Sequence, residues 1–312
     1  MDKNDSSKLR QEELFGARIE LTQQRGQLAE KLEAEGEREL ANKLRNCGQP
    51  FLLICRNCTH RHEVETKCCR KWCPTCAAAL TRKRSRKLRA SVMAMDWPLF
   101  VTLTMANVDS ANVEFDFVRF LRRAFGKLRH RRIWRHNVAG GCASMEVTNT
   151  GNGWHPHVHA LIDCEWLAVK TPKPRPRESA TSIAAKCKAA AAEFCTVWAK
   201  CLRTPVNPSI KVKRCDYDAA KEVLKYAVKP ADLINCPDPI GHVIRMMDAT
   251  RLITTFGTLF GLKVPDDDEP TKLPCTCGQP DWTPYLTFCR DVDAQHARER
   301  KSRVRAARHG AR

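Results

Sequence analysis

The sequence predicts an α+β protein, and three observations carry that prediction. Short apolar, β-branched segments alternate with longer stretches at helical spacing. Two of the short segments flank a turn-rich pentapeptide and so read as a hairpin. A cysteine-dense segment near the N-terminus has the spacing of a small zinc-ribbon-like module.

Residues 6–45 are rich in Glu, Leu, Ala, Gln and Arg and contain no proline, which predicts helix, interrupted at Gly26 or Gly36. Leu21, Leu28, Leu32, Leu40 and Leu44 recur at steps of seven, four, eight and four, so the helix has a packed or partner-binding face, with a solvated charged helix as the alternative. The cysteine-dense stretch 47–76 follows, and then Thr81–Arg89, with six basic residues in nine. Leu99–Met105 reads as a strand. Residues 114–135 read as an amphipathic helix with Phe117, Phe120, Leu121, Phe125 and Leu128 on its core stripe and Arg122, Arg123, Lys127, Arg129, Arg131, Arg132 and Arg135 outside it.

Cys142–Thr148 is a second strand. Asn149-Thr150-Gly151-Asn152-Gly153 supplies the turn, and a histidine-bearing strand follows at once. Pro172, Pro174 and Pro176, interleaved with Lys173, Arg175 and Arg177, make a stiff basic loop. An Ala-rich helix spans roughly 179–202, Ile210–Lys213 is a short strand, and 216–228 is a helix ended by Pro230. Residues 266–269 are acidic. The tail after Ala297 carries seven basic residues in fifteen and is expected to order only on binding. No internal repeat is present. The organisation expected is 1–46 as an N-terminal helical segment, 47–90 as the cysteine module with its basic run, 91–235 as the core domain that holds the histidine strand and 236–312 as an extension.

Lys plus Arg is 54 against 35 for Asp plus Glu, a net charge of +19 over 312 residues. A surplus of this size favours a polyanionic partner, nucleic acid first and an anionic membrane surface second. No apolar run approaches the ~18 residues needed to span a bilayer. The first residues lack a signal-peptide apolar region, so a cytoplasmic protein with no membrane partner is expected. The 17 cysteines then point to zinc where clustered and to small core residues where scattered.

Three constellations can carry chemistry. In Gly153–Ile162, His155, His157 and His159 sit at spacing two, which on a strand puts all three on one face. Gathered imidazoles hold a divalent metal, and Glu146 on the hairpin partner would add a carboxylate suited to Mg²⁺ or Mn²⁺. The alternative for Glu146 is an exposed strand carboxylate. Second, Cys55-Arg56-Asn57-Cys58 and Cys73-Pro74-Thr75-Cys76 are two C-x-x-C pairs fourteen residues apart, close to the spacing of a structural Zn²⁺ ribbon. Cys69, Cys68, His60 and His62 lie between them and leave the ligand set open. Third, on a helix, Glu222, Lys225, Tyr226 and Lys229 stack on one face. A tyrosine between two lysines is a competent nucleophile toward phosphate, the cations stabilising phenolate and phosphate charge. Taken alone, an ordinary amphipathic helix explains that segment as well.

In this order, Phe100-Val101-Thr102-Leu103-Thr104, His155-Pro156-His157-Val158-His159 and Glu222-Val223-Leu224-Lys225-Tyr226-Ala227-Val228-Lys229 resemble motifs one, two and three of the HUH-endonuclease Rep proteins that initiate rolling-circle replication of small plasmids. Cys69-Arg70-Lys71-Trp72-Cys73-Pro74-Thr75-Cys76 is similar to the cysteine segment that precedes the nuclease core in that group. The resemblance covers about residues 50–232. It implies an α+β fold with a central antiparallel sheet flanked by helices, the two histidines on a middle strand. It implies His157 and His159 as ligands of a catalytic Mg²⁺ or Mn²⁺, with His155 or Glu146 completing the set. It also implies Tyr226 as the single nucleophile and Glu222 as the acid that supports water attack at termination.

The substrate implied is single-stranded origin DNA, cut to a 5′-phosphotyrosine and a free 3′-OH primer, with a host helicase and DNA polymerase as partners. Arg82, Lys83, Arg84, Arg86 and Lys87, with Arg122 and Arg123, are expected to contact phosphates, and Trp72 or Trp154 to stack on bases or pack in the core. No Gly-x-x-x-x-Gly-Lys-Ser/Thr loop is present, so no nucleotide triphosphate is called for. Two other readings fit parts of the pattern: a single-tyrosine HUH transposase, and a non-catalytic zinc-ribbon DNA-binding protein indifferent to loss of Tyr226.

Overall fold

A computed structural model describes residues 3–109, 115–170, 189, 191–204, 208–215, 230–261, 275–279, 281–287, 289, 294 and 295. The helix expected at 216–228 lies outside the described residues, with Glu222, Lys225, Tyr226 and Lys229, as do the proline loop, the acidic stretch and the basic tail. The chain divides into two compact units: Met1–Arg45 with Cys69–Asp268, and Asn46–Cys68 with Glu269–Arg312.

The first unit is built on a five-stranded antiparallel sheet with strand order β6-β3-β5-β4-β7. Its strands are β3 (Pro98–Thr104), β4 (Gly140–Thr148), β5 (His155–Asp163), β6 (Ile210–Arg214) and β7 (Ile253–Gly257). The expected α+β class with a central antiparallel sheet flanked by helices is what the chain adopts, and the histidine strand is the middle one. The β4–β5 hairpin forms in the register Glu146↔His157, Ser144↔His159 and Cys142↔Leu161. Its turn is held by an Asx bond, Gly151 N–H donating to Asn149 Oδ1 at 2.9 Å. The sequence reading did not identify β7, whose Ile253-Thr254-Thr255 stretch is short and half-buried.

Because side chains alternate, the sheet presents two different surfaces. One carries Leu99, Val101 and Leu103 of β3 beside Val158, Ala160 and Ile162 of β5, all buried. Helix α4 (Phe117–Arg129) packs on this side. Its Asp116 N-cap accepts from Arg119 N–H at 2.8 Å. Phe117, Val118, Leu121, Ala124, Phe125 and Leu128 are buried, and Phe125 meets Phe256 of β7 edge-on at 6.0 Å between ring centroids. Where one helix was expected over 114–135 there are two, because the chain turns at His130–Arg131 before α5 (Arg132–Asn137).

The other surface is apolar at one end and polar at the other. Phe100, Cys142 and Leu161 form a buried cluster with Leu88 and Val92 of α3 (Pro74–Met93), and with Met95 and Leu259. One register step further, Thr102, His159 and Ser144 lie side by side; the next brings Thr104, His157 and Glu146.

The N-terminal segment is a packed helical hairpin, α1 (Lys3–Ala34) and α2 (Arg38–Arg45). It breaks at Gly36, whose φ is +80°, and runs through Gly26. Leu28, Leu32, Leu40 and Leu44 are buried, so the packed alternative holds. The turn between α1 and α2 is tied to the rest of the first unit by Glu35, whose carboxylate accepts from the backbone N–H groups of Ile240 and Gly241 at 2.9–3.0 Å. This caps α9 (Gly241–Asp248), which has no capping side chain of its own. The remaining helices of this unit are α6 (Glu165–Lys170), α7 (Ala192–Leu202) and α8 (Pro230–Ile234). Segment 70–72 is pinned by Asp248, which takes the Arg70 guanidinium at 3.0 Å on one oxygen and the Trp72 indole N–H at 3.1 Å on the other.

The second unit is a three-stranded antiparallel sheet in the order β2-β1-β8. Its strands are β1 (Pro50–Cys55), β2 (Arg61–Glu65) and β8 (Trp282–Pro284), which pairs Cys55↔Trp282. Among the described residues no helix is long and apolar enough to cross a membrane.

Candidate metal centre on the middle strand

The hairpin register puts Glu146 directly opposite His157, and the period of two puts His159 on the same face. The three side chains converge: His157 Nε2 and His159 Nε2 lie within hydrogen-bonding distance of Glu146 Oε2, at 2.8 and 2.6 Å. The two imidazoles stand edge-to-face, 4.6 Å between centroids. Glu146 and His157 are buried and His159 partly so. Placing a carboxylate and two imidazoles in a sheet interior is costly unless they are paired or hold an ion.

Neighbouring groups fix how the imidazoles point. His157 Nδ1 donates to the His155 carbonyl at 3.1 Å. A carbonyl only accepts, so Nδ1 carries a proton and Nε2 is the nitrogen left to ligate. His159 Nδ1 meets the Thr102 hydroxyl at 3.1 Å, which again leaves Nε2 facing Glu146. Burial alone would raise the Glu146 carboxyl, but hydrogen bonds from His157 and His159, and their charge, outweigh it and hold the group at about 2.

A depressed carboxyl contributes stability that is present above the ordinary 4.5 and is lost as the pH falls through about 2. Metal-free wild type should therefore lose thermal stability more steeply below pH 4.5 than Glu146→Gln does. Parallel acid melts of the two proteins would refute this link.

One carboxylate oxygen and two imidazole nitrogens within 4.8 Å of one another fit a single divalent ion. Three protein ligands leave coordination positions open for a substrate oxygen. Of the two candidates the sequence left open, His155 and Glu146, the structure brings Glu146 together with His157 and His159. His155 is on the same face, with its ring 5.3 Å from that of His157, but stands outside the three-ligand cluster. Its pKa is lowered by burial first, then by the nearby positive charge of His157 and Lys211. Glu146 is buried, so the exposed-carboxylate alternative is overturned.

Gly153 starts the strand two residues earlier. Its φ is +79°, and a Cβ there would lie 2.6 Å from the Val108 carbonyl oxygen, against which the Val108–Trp154 bridge closes. Gly153→Ala is expected to cost about 1–3 kcal/mol, from left-handed strain plus displacement of the bridge. A wild-type thermal midpoint in this variant would show that the bridge gives way freely.

The basic residues separate. Arg82 on α3 is exposed, with Lys83 and Arg84 half-buried. The same helix packs its Leu88 and Val92 on the histidine side of the sheet. The side chains of Arg86 and Lys87 lie outside the described residues. Arg122 and Arg123 are exposed on α4, which covers the opposite side, so they do not share a surface with the histidines. Trp72 and Trp154 are 0% and 1% exposed, so both are core residues and neither offers a face to a base.

The cysteines regroup as well. Cys55 and Cys58 were expected to close on Cys73 and Cys76. Instead they meet Cys275 and Cys277 within the second unit, while Cys69, Cys73 and Cys76 fall in the first. Cys69 is not a member of the four-sulfur group. Closure by 275 and 277 was passed over in the sequence because the spacing of Cys275, Cys277 and Cys289 is irregular. The signal that existed was the short C-x-C at 275–277.

Fold and site together define a class: an α+β protein whose middle strand presents a two-histidine, one-carboxylate group able to hold a metal ion. Residues 60–170, which span this hairpin, match the family model described as replication protein. The chain is also 29% identical over 247 residues to "Protein rep" of Lactiplantibacillus plantarum, covering 72% of this chain and 74% of that protein. No solved structure matches. Both findings bear out the resemblance to the Rep proteins of rolling-circle plasmids.

Proposed function

We propose that this chain initiates rolling-circle replication of a plasmid by nicking single-stranded origin DNA. The observation that carries the reading is the convergence of Glu146, His157 and His159 on one point of the middle strand. The replication-protein match over the same hairpin and the net charge of +19 support it.

A Mg²⁺ or Mn²⁺ held by these three residues would polarise a non-bridging oxygen of the scissile phosphate. The chain's own residues do the rest. Thr102 and the His155 carbonyl keep the two imidazoles turned so that Nε2 faces the phosphate. Tyr226 supplies the nucleophile, its hydroxyl proton passing to solvent or to a neighbouring base. The Tyr226 oxygen forms a bond to phosphorus as the P–O3′ bond breaks, leaving a 5′-phosphotyrosine and a 3′-OH for a host polymerase. Lys225 and Lys229 stabilise the phenolate and the phosphate charge. Glu222 directs water at the phosphotyrosine when the circle is released. Arg82, Lys83 and Arg84 hold the strand near the histidine side. Arg122 and Arg123 require a longer DNA that reaches the far layer, and a helicase would extend the single strand.

Incubating the full-length protein with end-labelled single-stranded origin DNA and Mn²⁺ tests the reading on a denaturing gel. A 3′-side fragment carrying the protein on its 5′-phosphate and a 5′-side fragment ending in a free 3′-OH, both abolished by EDTA, are expected. Tight binding without any cleaved product, across candidate origins and both metals, would favour a non-catalytic DNA-binding role.

A further inference from the structure

We propose that Cys55, Cys58, Cys275 and Cys277 form a structural Zn²⁺ tetrathiolate that completes the second unit by joining its two chain segments. This inference is independent of the nicking reading. The sulfurs of Cys58 and Cys275 are 3.3 Å apart and those of Cys55 and Cys277 are 3.8 Å apart, across 217 and 222 residues of sequence. All four ligand atoms lie within 4.8 Å of one another. A tetrahedron with Zn–S bonds of about 2.3 Å has sulfur–sulfur edges of about 3.8 Å. A disulfide needs sulfurs at about 2.05 Å, so the spacing fits thiolates arranged around an ion and not two crosslinks.

The backbone is folded to present these sulfurs. At the first pair the chain reverses, with Thr59 N–H donating to the Cys55 carbonyl at 2.7 Å and Cys55 N–H to the His60 carbonyl at 2.8 Å. Thr59 takes φ +58° to do so. At the second, Gly278 N–H donates to the Cys275 carbonyl at 3.1 Å, with Gly278 at φ +72°. The two turns are then locked face to face: Arg56 N–H donates to the Asp281 carbonyl at 2.9 Å and the Asn57 amide to the Gln279 carbonyl at 2.6 Å. The Cys55↔Trp282 pairing holds the C-terminal segment in register beside the first ligand.

Energetics point the same way. Among the described residues of this unit only Cys47, Ile54, Cys55 and Thr283 are buried. A core that small does not hold three short strands together without a crosslink or a metal. Binding free energy at such a site is folding free energy. The unit therefore cannot be completed until the chain beyond Cys277 has been made and zinc has bound.

The test uses the full-length protein purified under reducing conditions, with metals per chain measured by plasma mass spectrometry. Cys275→Ser/Cys277→Ser should hold one zinc equivalent less than wild type, and Cys289→Ser should lose none. Because loss of zinc alone could follow from misfolding, Cys277→His provides a second reading. It should keep the equivalent, and on Co²⁺ substitution its visible d–d bands should move to shorter wavelength as imidazole replaces thiolate. Unchanged zinc in the double variant, or a Co²⁺ spectrum indifferent to Cys277→His, would overturn the ligand assignment. Iron in place of zinc, with its own visible absorption, would overturn the identity of the ion.

Discussion

Tyr226→Phe is expected to abolish the covalent protein–DNA product, a loss of at least roughly 10³-fold in adduct formation, while binding of the same oligonucleotide stays within about twofold. The expectation rests on chemistry. Phenylalanine keeps the ring but has no oxygen to form the phosphodiester. The lysines at 225 and 229 remain, so the electrostatic part of DNA binding is preserved. Tyr226 is one of three tyrosines in the chain, with Tyr217 and Tyr285. Tyr285 is in the second unit, and its ring lies under the Arg61 guanidinium at 5.3 Å. An adduct that survives in Tyr226→Phe would redirect the nucleophile to Tyr217, nine residues earlier.

The second large effect concerns the metal group. His157→Ala/His159→Ala should lose Mn²⁺ binding and cleavage together, each by roughly 10³-fold or more, since two of three ligands and the orientation they impose are gone. The variant also leaves Glu146 buried with no imidazole to donate to it, at a cost of about 1–3 kcal/mol. Folding must therefore be checked by a thermal melt. Adding Glu146→Gln removes the unpaired charge and should recover part of that stability without restoring cleavage. Isothermal titration with Mn²⁺ separates the two losses. Cleavage that persists at wild-type rate in the folded triple variant would remove this cluster from the chemistry.

How far the site was legible in the sequence depends on the range of the interaction. The three histidines at spacing two, the Asn- and Gly-rich turn and the flanking β-branched residues are local, so the hairpin was readable, while the middle-strand position came from the family resemblance. Whether Glu146 or His155 joins His157 and His159 depends on cross-strand register. A one-residue slip would have turned Glu146 to the opposite face. The amphipathic stripe of α4 was equally plain. Which side of the sheet that stripe covers is decided by Phe125 meeting Phe256 of β7, a strand the local pattern did not reveal. Arg122 and Arg123 are consequently exposed but on the far layer.

The cysteines make the same point more sharply. Cys55-x-x-Cys58 and Cys73-x-x-Cys76 looked like one ribbon because ligand spacing was judged along the chain. The structure closes Cys55 and Cys58 with residues 217 and 222 positions away. Loop-closure cost rises only slowly with length, by about 2.4 kcal/mol between fourteen and 217 residues, an increment that a bound metal can offset. Trp72 and Trp154 were weighed as stacking platforms or core residues. Hydrogen bonding of Trp72 to Asp248, and burial of both rings, place them in the core.

Covalent joining of this chain to DNA through Tyr226 at a divalent-metal site would leave a nucleotide on one tyrosine peptide. Its most direct test is peptide mapping of the nuclease-trimmed adduct by mass spectrometry, after reaction of the full-length protein with single-stranded origin DNA and Mn²⁺. A nucleotide phosphodiester is expected on the peptide containing Tyr226, present only when Mn²⁺ or Mg²⁺ is supplied and missing in His157→Ala/His159→Ala. A nucleotide found on any other residue, or DNA cleaved with hydrolysed ends and no adduct at any time point, would contradict it.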